Sequence, residues 1–470
     1  MSNSLDWNFR QVFGDVAPIE QVQETDMISC LKFNHDGSFL AAGDRGGRVI
    51  VFERHQAINA AGRPTIEYQF YSEFQAHVQG FDALRSVSVS ERVIQLQWLP
   101  QTSKSLFLLT SNERSVKVWK IENKRVQRVA SNNMSKYGNN KSKLDDANNL
   151  LLPKVVNVDE FQPICTQKKL FDNVTNYHIN AVAISHDSDQ FLISDDLKIA
   201  VWSLNNVNEA ITVVDLKPPK LDEVSEVITY ADYSPTNSAV FVFGTSHGGV
   251  CLADTRISAI CDRVCRNFAN PLQSTADLPY HIFGQVSQQA DIAAGISSVH
   301  MAKQGNLIIA RDLLSVRLWD IRMENRPLNI IPQHPFVKDF AQKLLDSEAI
   351  FDRNDVVFNN DCTMFATGSY TDRFNIFNAK NPQSITGYNI QATRQVRRRT
   401  RAIQTHLGQK ASPSPSVGGL PIYEQGKVVY ENLALDPTDI RKKIQFLDWS
   451  PAENVMAVAT VSNLFIYSAQ

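Results

Sequence analysis

The chain lacks a disulfide framework: its six cysteines are scattered from Cys30 to Cys362, which points to a reducing compartment. No apolar run approaches the eighteen or so residues a membrane span needs. The opening MSNSLDWNFRQ has no basic region ahead of an apolar core, so it does not read as a secretory signal. Neither sign of charge is in excess, since 47 Lys and Arg face 49 Asp and Glu. A formal net of −2 gives no global field favouring nucleic acid or an anionic membrane, so electrostatic recognition must come from local patches. The expected location is cytosolic, with nuclear entry left open. At 43% hydrophobic and 20% charged residues, the 470-residue chain can bury a sizeable core; disorder and collagen are excluded as overall descriptions.

Catalytic signatures are equally sparse. DRGGRVIVFER, Asp44 to Arg54, has glycines beside charge, but a phosphate loop needs the GxxxxGK[ST] spacing followed by a helix. GTSHG, Gly244 to Gly248, matches the nucleophile elbow GxSxG and has His247 beside Ser246. An elbow requires strand, sharp turn, then helix on an α/β sheet, whereas this segment occupies a hairpin slot, so a Ser246 hydrolase is the weaker reading. Cys261 and Cys265 in CDRVC have no companion CxxC or HxxxH set, and a structural zinc takes four ligands. No cofactor, no metal and no enzymatic activity are expected.

What the sequence does contain is one unit repeated. ISCLKFNHDGSFLAAGDRGGRVIVF reads as strand, NHDG turn, strand, Gly-Gly turn, strand, with the alternation of half-buried antiparallel strands. The same grammar returns six more times, in segments closing at Trp119, Trp202, Ala253, Trp319, Phe377 and Tyr467 after the first at Phe52. Only Trp319-Asp320 is a literal WD dipeptide, with Ala253-Asp254 a partial echo. Three strands per copy plus one between copies make a four-stranded blade. The expected fold is therefore all-β, a single seven-bladed WD40-type β-propeller over 1–470, in which Asp44-Arg45-Gly46-Gly47 is a hairpin turn needing a positive φ.

The uneven spacing of closing residues forces excess sequence into loops. An insertion at about 121–176 in the second blade carries an apolar LLLPKVVNV segment within polar sequence and suggests a protruding hairpin that meets a partner. A second insertion, about 386–440, contains RQVRRRTR and ASPSPSVGG, a composition typical of partial disorder. Its arginines Arg394, Arg397, Arg398, Arg399 and Arg401 suit an import signal, a phosphate-binding segment or simply a solvated loop, and Ser412 and Ser414 precede prolines. Phe336, Phe340, Leu344 and Leu345 fall at helical spacing, which predicts a short helix docked on one rim.

Particular motifs say more than the repeat. NYHINAVAISHD, DRGGRVIVFER, SDDLKIAVW, EVITYADYSP, SAICDR, LSVRLWDIRMENRP and FATGSYTDRFNIF closely resemble the WD40-type regulatory B subunit of protein phosphatase 2A, essentially over the whole chain. The resemblance implies a non-catalytic propeller that binds a helical-repeat scaffold subunit and the catalytic subunit, and recruits phosphoproteins with basic or helical segments. Nucleic acid is not among the expected partners, given the balanced charge. It places the substrate platform on one rim, at Tyr177 and His178 in the YHIN run, Asp196 in SDDLK, and Val224 and Val227 in DEVSEVIT, with Val224 replacing the family's leucine. Arg45, Asp346, Glu348 and Arg353 align with further platform positions, and the second-blade insertion, roughly Arg125 to Phe161, with an arm that grips the scaffold.

Asp196 is the leading candidate, because a rim carboxylate can pair with Arg or Lys of a recruited protein; against this stands the ordinary use of Asp in hairpin turns. FDALRSVSVSERVI departs from the family, with Ser88 and Ser90 where acids are expected, which puts substrate range in doubt. The alternative function is a generic WD40 interaction scaffold without phosphatase association.

Overall fold

In the computed structural model the described residues are 7–14, 22–58, 64–82, 86–101, 104–131, 154–172, 174–175, 177–262, 265–268, 294–333, 351–370, 373–379, 388–392, 419–424, 427–432 and 443–469. They form seven four-stranded antiparallel sheets, the blades of a propeller. Blade 1 comprises Ile28–Phe33, Phe39–Asp44, Arg48–Ile58 and Pro64–Gln75. Blades 2 to 6 follow in chain order, beginning at Gln95, Ala181, Ile228, Ser298 and Val356. Blade 7 is built from both ends of the described chain. Phe446–Trp449, Val455–Thr460 and Asn463–Ala469 are completed by Trp7–Phe13, which pairs antiparallel to the last of these from Trp7↔Ala469 to Phe13↔Leu464. That closure removes a free sheet edge from the ring.

Strict alternation is the expected pattern, yet the middle strands are buried almost throughout: Val455–Thr460 at every position and Phe39–Asp44 at all but the first. The physical reason is that each blade packs both faces against neighbours. Every adjacent pair shares an apolar cluster. Leu108 and Trp98 pack with Val49 and Val51 between blades 1 and 2, and Phe241 with Ile199 between blades 3 and 4. Phe52 packs with Ile466 where blade 7 meets blade 1.

Four of the turns between second and third strands, in blades 1, 2, 3 and 5, share one device. Asp44 Oδ1 accepts from Arg48 N at 2.8 Å, Asn112 Oδ1 from Ser115 N at 2.8 Å, Asp195 Oδ1 from Lys198 N at 2.6 Å and Asp312 Oδ1 from Ser315 N at 2.7 Å. A short carboxylate or carboxamide closes each turn on its own backbone. Gly47 completes the first at φ +81°, and a Cβ there would collide with His77 O, so the position demands glycine for both conformation and space. The Gly-Gly turn is thus a structural joint of blade 1.

In blade 2 the third and fourth strands, Val116–Ser131 and Lys154–Phe171, pair from Val116↔Phe171 out to Ser131↔Lys154. The neighbouring second strand pairs only as far as Ile121, so this ribbon runs well past the blade. The helix expected at Phe336 to Leu345 lies outside the described residues, as does the arginine run 394–401. The first described part of the second insertion, Tyr388–Gln391, is the fourth strand of blade 6, and a two-stranded hairpin of Gly419–Glu424 and Lys427–Asn432 is described beyond it.

Candidate functional site

Because every second-to-third-strand turn opens on one end of the ring, the residue after each turn-closing side chain projects at the same face. These residues are Arg45, Glu113, Asp196 and Leu313. In SDDLK the two carboxylates divide the labour. Asp195 is buried and takes Leu197 N at 2.9 Å and Lys198 N at 2.6 Å. Asp196 makes no such turn bond and instead accepts from Asn180 Nδ2 at 2.8 Å. The ordinary turn role belongs to Asp195, which leaves the Asp196 carboxylate facing a cavity of about 360 Å³.

That cavity is lined by Asp196, Asn180, Val227, Ser246, Phe351 and Arg353, among others, and so brings together three of the platform residues expected from the sequence, Asp196, Val227 and Arg353. Arg353 reaches across the ring: its guanidinium donates to Asn180 O and to Asn180 Oδ1, both at 2.6 Å. Burial pulls its pKa below the ordinary arginine value, partly offset by Tyr230, Asp355 and Asp196. Arg353 is therefore a brace that orients Asn180, which in turn orients Asp196. Asn180 is the residue that sequence reasoning missed; its place at the end of the NYHIN run was the available signal.

Val227 lies beside Asp196, its backbone N donating to Ser246 Oγ at 3.1 Å while Ser246 N donates to Val227 O at 2.9 Å. Val224 is half-buried just after the short 3₁₀ turn Leu221–Glu223. Tyr177 is half-buried, its carbonyl accepting from Thr175 Oγ1 at 2.7 Å, and His178 is exposed with Nδ1 3.7 Å from Glu113 Oε2. Arg45 sits elsewhere on the rim, paired to Glu24 at 2.7 Å. Asp346 and Glu348 lie outside the described residues. The apolar side chains Val78, Phe81 and Phe351 stand exposed at 66%, 67% and 64%. Phe81 belongs to a small hairpin, Gly80–Asp82 with Val87–Val89, where it faces Ser88. Ser90 Oγ accepts from Arg92 N at 3.2 Å, a local turn bond.

The GTSHG segment joins strands Asn237–Thr245 and Val250–Asp254 of one blade, with Gly248 at φ +76°. A strand follows the serine where an elbow requires a helix. Ser246 Oγ is engaged by Val227 N, and His247 Nε2 lies 2.5 Å from Ser225 O, so the pair serves to pin the 225–227 segment to the turn.

Below this face the innermost strands line an axial channel bridged by polar contacts. Gln95 Nε2 donates to the Tyr230 hydroxyl at 3.3 Å, His300 Nδ1 lies 2.7 Å from Asp232 Oδ2, and Asp448 Oδ2 accepts from Phe33 N at 2.7 Å. Asp355 stands among them, and burial pushes its carboxyl up to about 6, against the pull of His300 and Lys32. A carboxyl raised from 3.8 favours the folded state while protonated, so its contribution is present below about pH 4 and lost as pH rises to about 6. Asp355→Asn is expected to remove that downward slope, so the stability of the variant relative to the parent rises between pH 4 and 6 and then levels. Urea midpoints across that window are the check, and parallel curves would refute the assignment.

The chain is similar in sequence to known proteins. A WD40 family model, "WD domain, G-beta repeat", matches residues 19–53. The chain is 33% identical over 463 residues to the "Protein phosphatase PP2A 55 kDa regulatory subunit" of Drosophila melanogaster, covering 98% of this chain and 86% of that protein. It is 31% identical over 478 residues to the regulatory B subunit of protein phosphatase PP2A from Schizosaccharomyces pombe, covering 100% of this chain and 99% of that protein.

Proposed function

The chain belongs to the family of PP2A 55 kDa regulatory B subunits, and on that premise we propose that it is a non-catalytic targeting subunit. It binds a helical-repeat scaffold and the catalytic phosphatase subunit, and presents phosphoproteins to them. The observation that carries the reading is the Asp196 carboxylate, relieved of turn duty by Asp195 and held toward an open cavity by Asn180, in a chain related over its full length to regulatory subunits. A carboxylate beside apolar Val227 suits a basic segment with an adjacent apolar side chain. Charge supplies on-rate and specificity, and apolar contact supplies affinity. Capture on the propeller raises the local concentration of a phosphoprotein at a catalytic centre on another subunit, without any new contact at that centre.

The ribbon that leaves blade 2 is the proposed scaffold grip. Purified chain is expected to co-elute on size exclusion with a scaffold–catalytic heterodimer, and a version lacking residues 125–161 to elute apart from it while keeping its own melting transition. Failure of the intact chain to co-elute would favour the generic interaction scaffold, and the altered SVSVSE segment would become the first suspect.

A further inference from the structure

The CDRVC segment has a feature that phosphatase targeting does not use. Cys251, in the third strand of blade 4, stands directly opposite Asn267 in the ladder with the fourth strand, Arg266–Phe268. Its Sγ donates to Asn267 Oδ1 at 3.0 Å, and Cys265 Sγ approaches the same oxygen at 3.4 Å. Two thiols converge on one acceptor, one from within the third strand and one from just before the fourth. The other cysteines have partners of their own: Cys30 with Val93 O, Cys165 with Ser72, Cys362 accepting from Lys303 N, and Cys261, in the apolar cluster against which the pair packs, with Ser258 O. Two sulfurs and a carboxamide oxygen fall short of a structural zinc cage, which takes four ligands.

We propose that Cys251 and Cys265 form a peroxide-responsive thiol pair that closes to a disulfide, cross-linking the third strand of blade 4 to the entry of its fourth. Position distinguishes the two: Cys251 lies within the ladder with its thiol bonded to Asn267 Oδ1 at 3.0 Å, whereas Cys265 precedes the strand and makes the looser contact at 3.4 Å. Contact between the two sulfurs lowers the Cys265 thiol and, together with burial, raises that of Cys251. Both thiols are partly exposed, and Cys265, the less firmly held, is the attacking sulfur. Its thiolate displaces hydroxide from hydrogen peroxide, breaking the O–O bond and giving the sulfenic acid. Cys251 sulfur then attacks that sulfur; the S–S bond forms as the S–OH bond breaks, and the Cys251 proton leaves with the hydroxide as water. Overall two thiols and one peroxide give one disulfide and two waters.

The bond would close a loop that carries Ile257 and Ile260, exposed at 65% and 54%, beside the Arg256–Asp254 pair at 2.6 Å. Within that loop Cys261 N already bonds Val213 O of blade 3 at 2.6 Å. Oxidation therefore fixes how an apolar surface segment is presented at the seam between blades 3 and 4, because cross-linking removes conformations from the loop.

The test is peptide mapping of the full chain after brief exposure to hydrogen peroxide and alkylation, with hydrogen exchange on the same samples. The expected product joins the peptides bearing Cys251 and Cys265, is lighter than the reduced chain by two hydrogens, reverts with dithiothreitol, and slows exchange at 255–262 severalfold. Cys251→Ser should leave Cys265 as a sulfenic acid trapped by dimedone, and Cys261→Ser should leave the cross-link unchanged. A cross-link through Cys261, a disulfide between two chains, or dimedone labelling of the parent protein without cross-linking would each overturn the proposal.

Discussion

Asp196→Lys is expected to leave the purified chain folded and able to join the scaffold and catalytic subunits, while weakening capture of a phosphoprotein with a basic segment by about 10- to 100-fold. That range corresponds to removing a charge partner and opposing like with like in a partly enclosed site. The turn should survive, because Asp195 makes its closing bonds to Leu197 N and Lys198 N. What is lost is the carboxylate that Asn180 Nδ2 holds at 2.8 Å in a cavity shared with Val227 and Arg353. Binding by surface plasmon resonance at two salt concentrations separates the contributions, since the parent's on-rate should fall with salt more steeply than the variant's. Asp195→Asn, which retains a turn acceptor, should bind as the parent does. Loss of assembly on Asp196→Lys would show that this face meets the other subunits instead. Intact assembly with unchanged capture would return Asp196 to a purely local role.

Asp312→Ala is expected to cost about 3–5 kcal/mol of stability, the scale for stranding a buried charge. Arg317 and Asp312 are both fully buried, with Arg317 Nε 2.8 Å and Nη2 2.7 Å from Asp312 Oδ2. The guanidinium also donates to Gly248 O at 2.9 Å and stacks 6.0 Å over Trp319, so it ties the GTSHG turn of blade 4 to blade 5. Asp312 Oδ1 meanwhile takes Leu314 N and Ser315 N, both at 2.7 Å. Asp312→Asn separates the two duties. It keeps an acceptor for the turn, as Asn112 does in blade 2, but removes the countercharge, and should still lose most of the stability. Urea unfolding followed by tryptophan fluorescence is the measurement. An alanine variant within about 1 kcal/mol of the parent would mean that Arg317 does not depend on Asp312 for its countercharge.

Both sites mark where a linear reading of the chain stops. SDDLK presents two adjacent carboxylates, and nothing local tells which one closes the turn. The division appears only when the ladder fixes residues 194 and 198 opposite one another's neighbours and Asn180 arrives from the preceding connection. Arg353 is similar. It aligns with the platform positions in one dimension, yet lies 173 residues from Asn180 in the chain and meets it only because the ring closes. GTSHG spells an elbow in letters and is a hairpin turn in space, because the next residues continue a blade.

The amino-acid sequence by itself determined the repeat, the seven blades and the turn chemistry. Strand period, turn residues and closing aromatics are local properties that recur along the chain and need no distant partner to be recognised. Family membership was legible for a related reason, since motifs such as NYHIN and MENRP are contiguous. Tertiary structure alone decided that the middle strands are buried on both faces, that the first strand completes the last blade, and that Asp196, Asn180, Val227 and Arg353 share one cavity. Each of these depends on contacts between residues far apart in the chain, and ring closure, which brings the ends of the chain and the turns of separate blades together, is what creates them.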